Sequence, residues 1–295
     1  MKLKELLSMD NPELYDLKNE RNYPGNDALE KMLAYKSSND GFDTDGSLGK
    51  DTCSLIRELY RDLWGWQDKN NDELTRYGLS YFKDSQLMGP ETMNSFATTH
   101  NSYLCSDKYD RNKAIPFASA VGRIGNMTLT FAGFNRYVAK DYWDLKLKLQ
   151  YGDNADLSLL EKRRYINLFF HWDYVNKTKD QYVLKTFWPE HVENQYPSPE
   201  YIPEFINTVN RYTERRGKFM VGLLRISQTC REDYLNLLHN VLMTDVVFDG
   251  YVDVIQKAMQ LQYKNKATQN ILTQLLEYFQ DENKMGAKSK GEMLC

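Results

Sequence analysis

Two pairs of acidic residues are the most direct candidates for chemistry in this sequence. Asp43 and Asp45 lie in a segment rich in glycine and aspartate, and Asp141 and Asp144 lie farther along the chain. Neighbouring carboxylates can bind a hard cation, or they can split their pKa values and act as acid and base. Neither spacing matches a metal-binding loop, and loop aspartates more often cap helices and turns. We therefore predict no metal site and no cofactor at these positions.

The histidines give little support for catalysis. His171, His191 and His239 each stand alone among aromatic or apolar residues, a setting more typical of a structural histidine than of a base or a ligand. The sequence contains no G-x-S-x-G, H-E-x-x-H, P-loop or dinucleotide-binding motif. The common hydrolase, zincin and nucleotide-binding classes therefore lose their main sequence support.

The segment from 124 to 147 is unusually dense in glycine, asparagine, aromatic and acidic residues. It reads I-G-N-M at 124–127, F-N-R at 134–136 and K-D-Y-W-D-L-K-L at 140–147. This pattern resembles a family of uncharacterised bacterial and phage-borne proteins that carry I-G-N-(Met or Phe), F-N-x-R and K-D-Y-W-D-L-x-L. The residues that carry the signature are Gly125, Asn126, Asn135, Lys140, Asp141 and Asp144. The resemblance implies no activity, and the signature residues either line a pocket or build an unusual core turn.

The same segment is similar to the tail of certain HNH-type nuclease domains, in which I-G-N-L-T-L precedes an asparagine and a lysine. Asn126, Asn135 and Lys140 are the matching positions. Such nucleases need an upstream histidine that activates water beside one divalent ion. His100 is the upstream histidine here, and it lacks the usual neighbouring histidine or glutamate. An active or degenerate nuclease with His100, Asn126 and Asn135 in its site is therefore an alternative hypothesis.

Two basic clusters are candidates for binding. One is Lys162-Arg163-Arg164, and the other spans 211–225 and interleaves basic residues with Tyr212 and Phe219. The second cluster suits a nucleic-acid backbone or an acidic protein partner. The competing interpretation is a solvated helix face whose basic residues pair with glutamates. The predicted binding residues are Tyr137, Tyr142, Trp143, Arg211, Arg215 and Arg216.

Composition limits the class of partner and compartment. The 295 residues carry a net charge of −3, so the chain has no global field for nucleic acid, and direct nucleic-acid binding is not expected. No apolar run reaches the roughly 20 residues that span a bilayer, and we expect a cytoplasmic protein with no membrane contact. The four cysteines are far apart, which favours reduced thiols. The 21 tyrosines belong either to an interface or to a tyrosine-rich core.

Periodicity predicts a mostly helical chain. Helices are expected over 11–21, 27–36, 51–66, 73–83, 156–174 and 267–281, with others around 202–212 and 234–242. A strand is expected at 127–131, and 143–151 fits either a second strand or a helix. We predict an α+β fold, predominantly helical, with a small antiparallel sheet in the central region at about 115–150. The predicted domains are 1–180 and 195–282, joined by a polar connection and followed by a flexible tail at 283–295.

The function that fits these features best is a non-enzymatic, self-associating protein-interaction module. In size and composition the chain looks like phage-encoded inhibitors of the Gabija anti-phage defence complex. That resemblance implies a homo-oligomer that binds and masks a host defence nuclease in the host cytoplasm. The alternatives are the HNH-like nuclease and a small-molecule or nucleotide-binding regulator with a pocket lined by residues of the 126–144 signature.

Overall fold

The computed structural model of the chain describes residues 2–15, 17, 54–65, 82–86, 120, 122–131, 159–177, 182–184, 202–246 and 248–292. Its helices are α1 (Leu3–Leu7), α2 (Ser54–Trp64), α3 (Leu159–Leu168), α4 (Ile202–Thr229), α5 (Arg231–Leu237), α6 (Tyr251–Met259) and α7 (Lys266–Glu292). Short 3-10 turns lie at Pro12–Leu14, Ile124–Asn126 and Trp172–Tyr174, and a π-helical turn, Leu238–Leu242, follows α5. The described residues are mostly helical, as predicted.

The strands are few and short. Strand β1 (Phe82–Gln86) pairs antiparallel with β2 (Met127–Phe131), and β3 (Val175–Lys177) pairs antiparallel with β4 (Tyr182–Leu184). The predicted small sheet at 115–150 is not found among the described residues. Within the described residues of that range the strand is β2, which pairs with β1 at 82–86, and the predicted segment 143–151 lies outside the described residues. The end of the helix predicted at 73–83 is also wrong, because Phe82 and Lys83 belong to β1.

Helix α2 confirms the amphipathic pattern from which it was predicted. The five side chains predicted to share its apolar face are all buried, namely Leu55, Leu59, Tyr60, Leu63 and Trp64. The polar tips of two of its rings find partners inside the protein. The Tyr60 hydroxyl donates to the Thr128 carbonyl at 3.0 Å, and Trp64 Nε1 donates to the Leu168 carbonyl at 2.9 Å. These bonds satisfy groups whose burial would otherwise destabilise the fold.

Helix α4 is the central element of the described fold. Its 28 residues span about 42 Å at 1.5 Å per residue, long enough to contact most of the other elements. It packs against α7 so closely that a Cβ atom on Gly222 would lie 2.4 Å from Leu275 Cδ1. The glycine weakens the helix by its low propensity but allows this close approach. The helix predicted around 202–212 is therefore only the first part of a much longer one.

The N-terminal segment is fastened to α4 by basic side chains. Arg225 Nη2 donates to the carbonyl of Leu7 at 3.0 Å, and Lys218 Nζ forms an ion pair with Glu13 Oε1 at 3.0 Å. Leu3 and Leu6 of α1 are buried in the core. In the described part of the helix predicted over 11–21, which is 11–15 and 17, the helical residues are the turn Pro12–Leu14. Helix α1 lies outside the predicted helices.

One cluster of buried side chains runs through the described residues, from Leu3 of α1 to Phe279 of α7. It includes residues from both of the predicted domains, so the described core is continuous across that boundary. Five tyrosines are buried in it: Tyr60, Tyr165, Tyr174, Tyr234 and Tyr251. The abundant tyrosines therefore serve the core at these five positions.

The C-terminal third differs from the prediction in detail. Helix α6 was not predicted, although Tyr251, Val254, Ile255 and Ala258 follow helical spacing and are buried. The backbone of α7 stays helical to Glu292, into the segment predicted to be a flexible tail. Among the described residues, no helix is both long enough and apolar enough to cross a membrane.

Candidate interaction surface

The start of the sequence signature is a tight turn packed on α4. A Cβ atom on Gly125 would lie 1.8 Å from the Thr213 carbonyl oxygen and 2.6 Å from Gly217 N, so the turn touches the backbone of the helix. Asn126 and Thr128 are fully buried. The signature over 124–129 therefore builds a core contact, and Asn126 neither lines an open pocket nor is accessible to a substrate in this fold.

Arg216 is buried in the same contact. Its Nη1 donates to the carbonyl oxygens of Gly125 and Met127, each at 2.7 Å, and its Nε donates to the carbonyl of Phe169 at 2.9 Å. Its exposed fraction is 0%. Arg216, a predicted binding residue, is therefore not accessible to a partner in this fold, because its guanidinium donates to carbonyl groups of two other segments, 125–127 and Phe169.

The segment after α3 supplies one hydrogen-bond acceptor for Arg216 and another for the preceding residue, Arg215. The chain turns at Phe170, whose φ of 61° lies in the left-handed region that is costly for a residue with a side chain. The Phe170 ring stacks on Trp64 and meets Phe219 edge-on, with centroids 5.9 and 5.2 Å apart. This packing holds the turn in place, so that Phe169 faces Arg216 and Asp173 faces Arg215.

His171 lies in the same turn and is structural, as predicted. It is fully buried, with Nε2 3.5 Å from Thr128 Oγ1. Burial lowers the pKa of His171 well below its ordinary value, and the charge of Arg216 lowers it further. The imidazole is therefore neutral in the folded protein at pH 7.

Arg215 precedes Arg216 in the chain, but its guanidinium lies among acidic and aromatic side chains rather than among backbone carbonyl groups. Its Nε donates to Asp173 Oδ2 at 2.8 Å, and its Nη1 donates to Glu282 Oε2 at 2.7 Å. Its guanidinium carbon also lies 5.3 Å from the ring centroids of Tyr251 and Phe279. Two carboxylates and two aromatic faces thus fix one cation at the surface between α4 and α7.

Burial and neighbouring charges shift the pKa values of Arg215 and Glu282. Burial alone would lower the pKa of Arg215, but the carboxylates of Asp173 and Glu282 outweigh burial and raise it. Burial raises the pKa of Glu282; Arg215 opposes that rise and Asp173 adds to it. Because 13% of the Arg215 side chain remains exposed, the group is accessible at its edge while most of it is desolvated.

Further basic and aromatic side chains extend this surface along both helices. The Arg211 guanidinium lies 5.4 Å from the Tyr212 ring centroid, and Lys218 Nζ lies 5.3 Å from that of Tyr278. Arg211 is exposed, and the other three side chains are partly buried. We call this set the arginine–tyrosine strip; it consists of Arg211, Tyr212, Arg215 and Lys218 of α4 with Tyr278 and Glu282 of α7.

The strip brings together two of the predicted binding residues, Arg211 and Arg215. Sequence reasoning missed Tyr278 and Glu282, although their spacing of four places both on one face of α7. In the first basic cluster, Arg164 forms an ion pair with Asp245 at 2.9 Å. The remaining predicted site residues lie outside the described residues: His100, Asn135, Tyr137, Lys140, Asp141, Tyr142, Trp143 and Asp144, and also Asp43 and Asp45.

Within the described part of the chain, no cluster of histidine, cysteine, aspartate or glutamate side chains is arranged to hold a metal ion. Comparisons of the chain with protein-family models, with curated proteins and with solved structures find no match. The geometry of the described residues is therefore the basis for the proposals below.

Proposed function

We propose that the chain is a non-enzymatic, self-associating protein-interaction module, and that the arginine–tyrosine strip is one of its contact surfaces. The observation that supports this most is the fixed position of Arg215 between Asp173, Glu282 and two aromatic rings. Arginine and tyrosine are the residue types that supply most of the energy at protein interfaces. Side chains held in place before binding lose little rotamer freedom when a partner arrives.

The charge balance of the strip favours a protein partner over nucleic acid. Arg215 is already paired with two carboxylates, and Lys218 is paired with Glu13. A phosphate backbone would have to compete with these carboxylates, which repel it. A protein surface instead gains from the aromatic faces of Tyr212 and Tyr278 and from the hydrogen bonds that Arg211 can still donate.

The proposed partners are a second copy of the chain and a host defence nuclease complex, acting in the cytoplasm. The second partner follows from the resemblance to phage-encoded inhibitors of the Gabija complex. A symmetric oligomer would present the same strip several times to a symmetric target. This assembly would mask the nuclease without any chemistry of its own.

The test is the mass of the purified protein by light scattering, alone and with purified Gabija complex. We expect a discrete homo-oligomer, and an Arg211→Glu, Tyr278→Ala double variant that loses self-association or the complex while remaining folded. The matched control is Lys266→Glu, which changes an exposed basic residue of α7 outside the strip. A wild-type monomer that forms no complex with the nuclease would contradict the proposal, as would a double variant with unchanged masses.

The nuclease and ligand-binding alternatives remain hypotheses that depend on residues outside the described ranges. Metal-dependent DNA cleavage that His100→Ala abolishes would support the nuclease. A ligand-dependent thermal shift that is lost in Asp144→Ala would support a regulator with a pocket at the signature. Because Asn126 is buried in a core turn, neither alternative can use it as a surface residue in this fold.

A further inference from the structure

A cleft of about 350 Å³ lies between the π-helical turn and α6, away from the arginine–tyrosine strip. Its size falls at the lower end of the range for small-ligand sites. The buried ring of Phe248 and the side chain of Val246, which is 62% exposed, form an apolar part of its lining. Asn240 in the π-helical turn and Gln256 on α6 add amide groups. π-helical turns recur at binding sites because they displace side chains from the regular helix surface.

Two charged residues of opposite sign line the cleft. Asp253 and Lys257 lie four residues apart on α6, a spacing at which an acidic and a basic residue can pair. Here both line the cleft, and each contacts a neutral group instead. Asp253 Oδ2 accepts the Asp249 backbone N–H at 3.1 Å, and Lys257 Nζ donates to Gln260 Oε1 at 3.3 Å. Within the described residues, neither side chain takes part in an ion pair.

We infer that this cleft binds a small zwitterion with an apolar group, of the chemical class of a free α-amino acid. The ammonium group would lie against Asp253 and the carboxylate against Lys257, and the apolar group would cover Phe248 and Val246. Opposite charges on one ligand match the two opposite charges that line the cleft. The Gln256 amide can donate and accept hydrogen bonds, and Asn240 offers its amide oxygen as an acceptor because its Nδ2 already donates to Asn236. Both suit the polar edges of such a ligand.

Charge requirements of the ligand provide the first test. Isothermal titration of the full chain would compare L-leucine with N-acetyl-L-leucine, which lacks the ammonium, and with L-leucinamide, which lacks the carboxylate. We expect saturable binding of L-leucine with a Kd on the order of 1 mM or tighter, and binding at least about tenfold weaker for each derivative. Equal binding of the three ligands would overturn the inference, as would no saturable binding of L-leucine.

Variants on the protein side provide the second test. Asp253→Asn and Lys257→Gln should each weaken L-leucine binding at least about tenfold, because each leaves one ligand charge without its partner. Lys266→Gln is the matched control, since it removes an exposed lysine outside the cleft, and it should bind like the wild type. Both cleft positions are exposed, so the variants should fold, which thermal unfolding checks. Unchanged binding in both folded variants would contradict the assignment.

Discussion

Nη1 of Arg216 and the carbonyl oxygen of Gly125 are joined by a hydrogen bond of 2.7 Å across 91 positions of sequence. This bond lies where the turn Ile124–Asn126 touches α4, and the same guanidinium nitrogen also reaches the carbonyl of Met127. A charged hydrogen bond between buried groups is strong, and its loss leaves a desolvated acceptor. The contact therefore connects the signature segment to the central helix.

Replacement of Arg216 by methionine should lower the free energy of unfolding by at least about 3 kcal/mol, because three buried carbonyl oxygens lose their donor. Urea unfolding followed by circular dichroism measures the change. The control is Arg211→Met on the exposed side of α4, for which a change within about 0.5 kcal/mol is expected. Similar effects for the two variants would argue against the buried position of Arg216.

Gly125→Ala should prevent folding or destabilise the protein by more than about 3 kcal/mol, because the added Cβ would lie 1.8 Å from the Thr213 carbonyl oxygen. Gly217→Ala is the informative comparison. Its Cβ would meet Glu13 Cβ and Gly125 N at 3.2 Å, and alanine favours the helix by about 1 kcal/mol. We therefore expect a much smaller effect at Gly217, measured by thermal unfolding of both variants.

The buried His171 should make stability depend on pH. Its pKa is lowered in the folded state, so below its ordinary value of 6.5 the unfolded chain binds a proton that the folded protein does not. The stability that the neutral, buried imidazole contributes is fully present above pH 6.5. It is lost as pH falls below that value, by up to about 1.4 kcal/mol per pH unit. His171→Gln should be less stable at pH 7.5, but the difference from the wild type should shrink between pH 6.5 and 5. A constant difference in urea titrations across that range would contradict a neutral buried imidazole.

Asp233 should be needed for the start of α7. Its carboxylate accepts bonds from Lys264 N at 2.8 Å, Asn265 N at 3.0 Å and Thr268 Oγ1 at 2.8 Å. Burial opposes its ionisation, but these hydrogen bonds outweigh burial and lower its pKa. Asp233→Ala should therefore cost about 2 kcal/mol at pH 7.

The penalty at Asp233 should also depend on pH. A lowered pKa gives stability that is present above the unfolded value and lost as pH falls through the folded value. The difference in unfolding free energy between Asp233→Ala and the wild type should therefore shrink below about pH 4. Glu232→Ala is the control, because that neighbouring carboxylate is exposed and pairs with the exposed Lys264. An equal loss in both variants would count against the capping role.

The sequence predicts those parts of the structure that are determined by the spacing of residues within one segment. The face of α2 is evident from spacing alone, and Leu55 and Leu59 are buried as expected. Helix α6 carries the same signal at Val254 and Ile255, and it was missed although the pattern was present. A mostly helical fold could be predicted because the periodicity of a helix is contained within its own segment of sequence.

Arg215 and Arg216 show what the sequence could not provide. They are consecutive and identical in type, yet one is fixed at the surface by Asp173 and the other is enclosed by the carbonyls of Phe169 and Gly125. A step of one residue rotates the side chain by about 100° around the helix, so the partners depend on what packs on each side. Those partners are distant in sequence, and no local pattern distinguishes the two arginines.

The attachment of Leu7 to Arg225 has a consequence for synthesis on the ribosome. The two residues are separated by 218 positions, so Leu7 cannot reach its docking site until the greater part of α4 has left the exit tunnel. At ordinary elongation rates that wait lasts on the order of 10 to 40 s. Throughout it, Leu3 and Leu6 lack the part of the core that α4 supplies, and the nascent chain offers an amphipathic stretch that chaperones can hold until translation of the helix is complete.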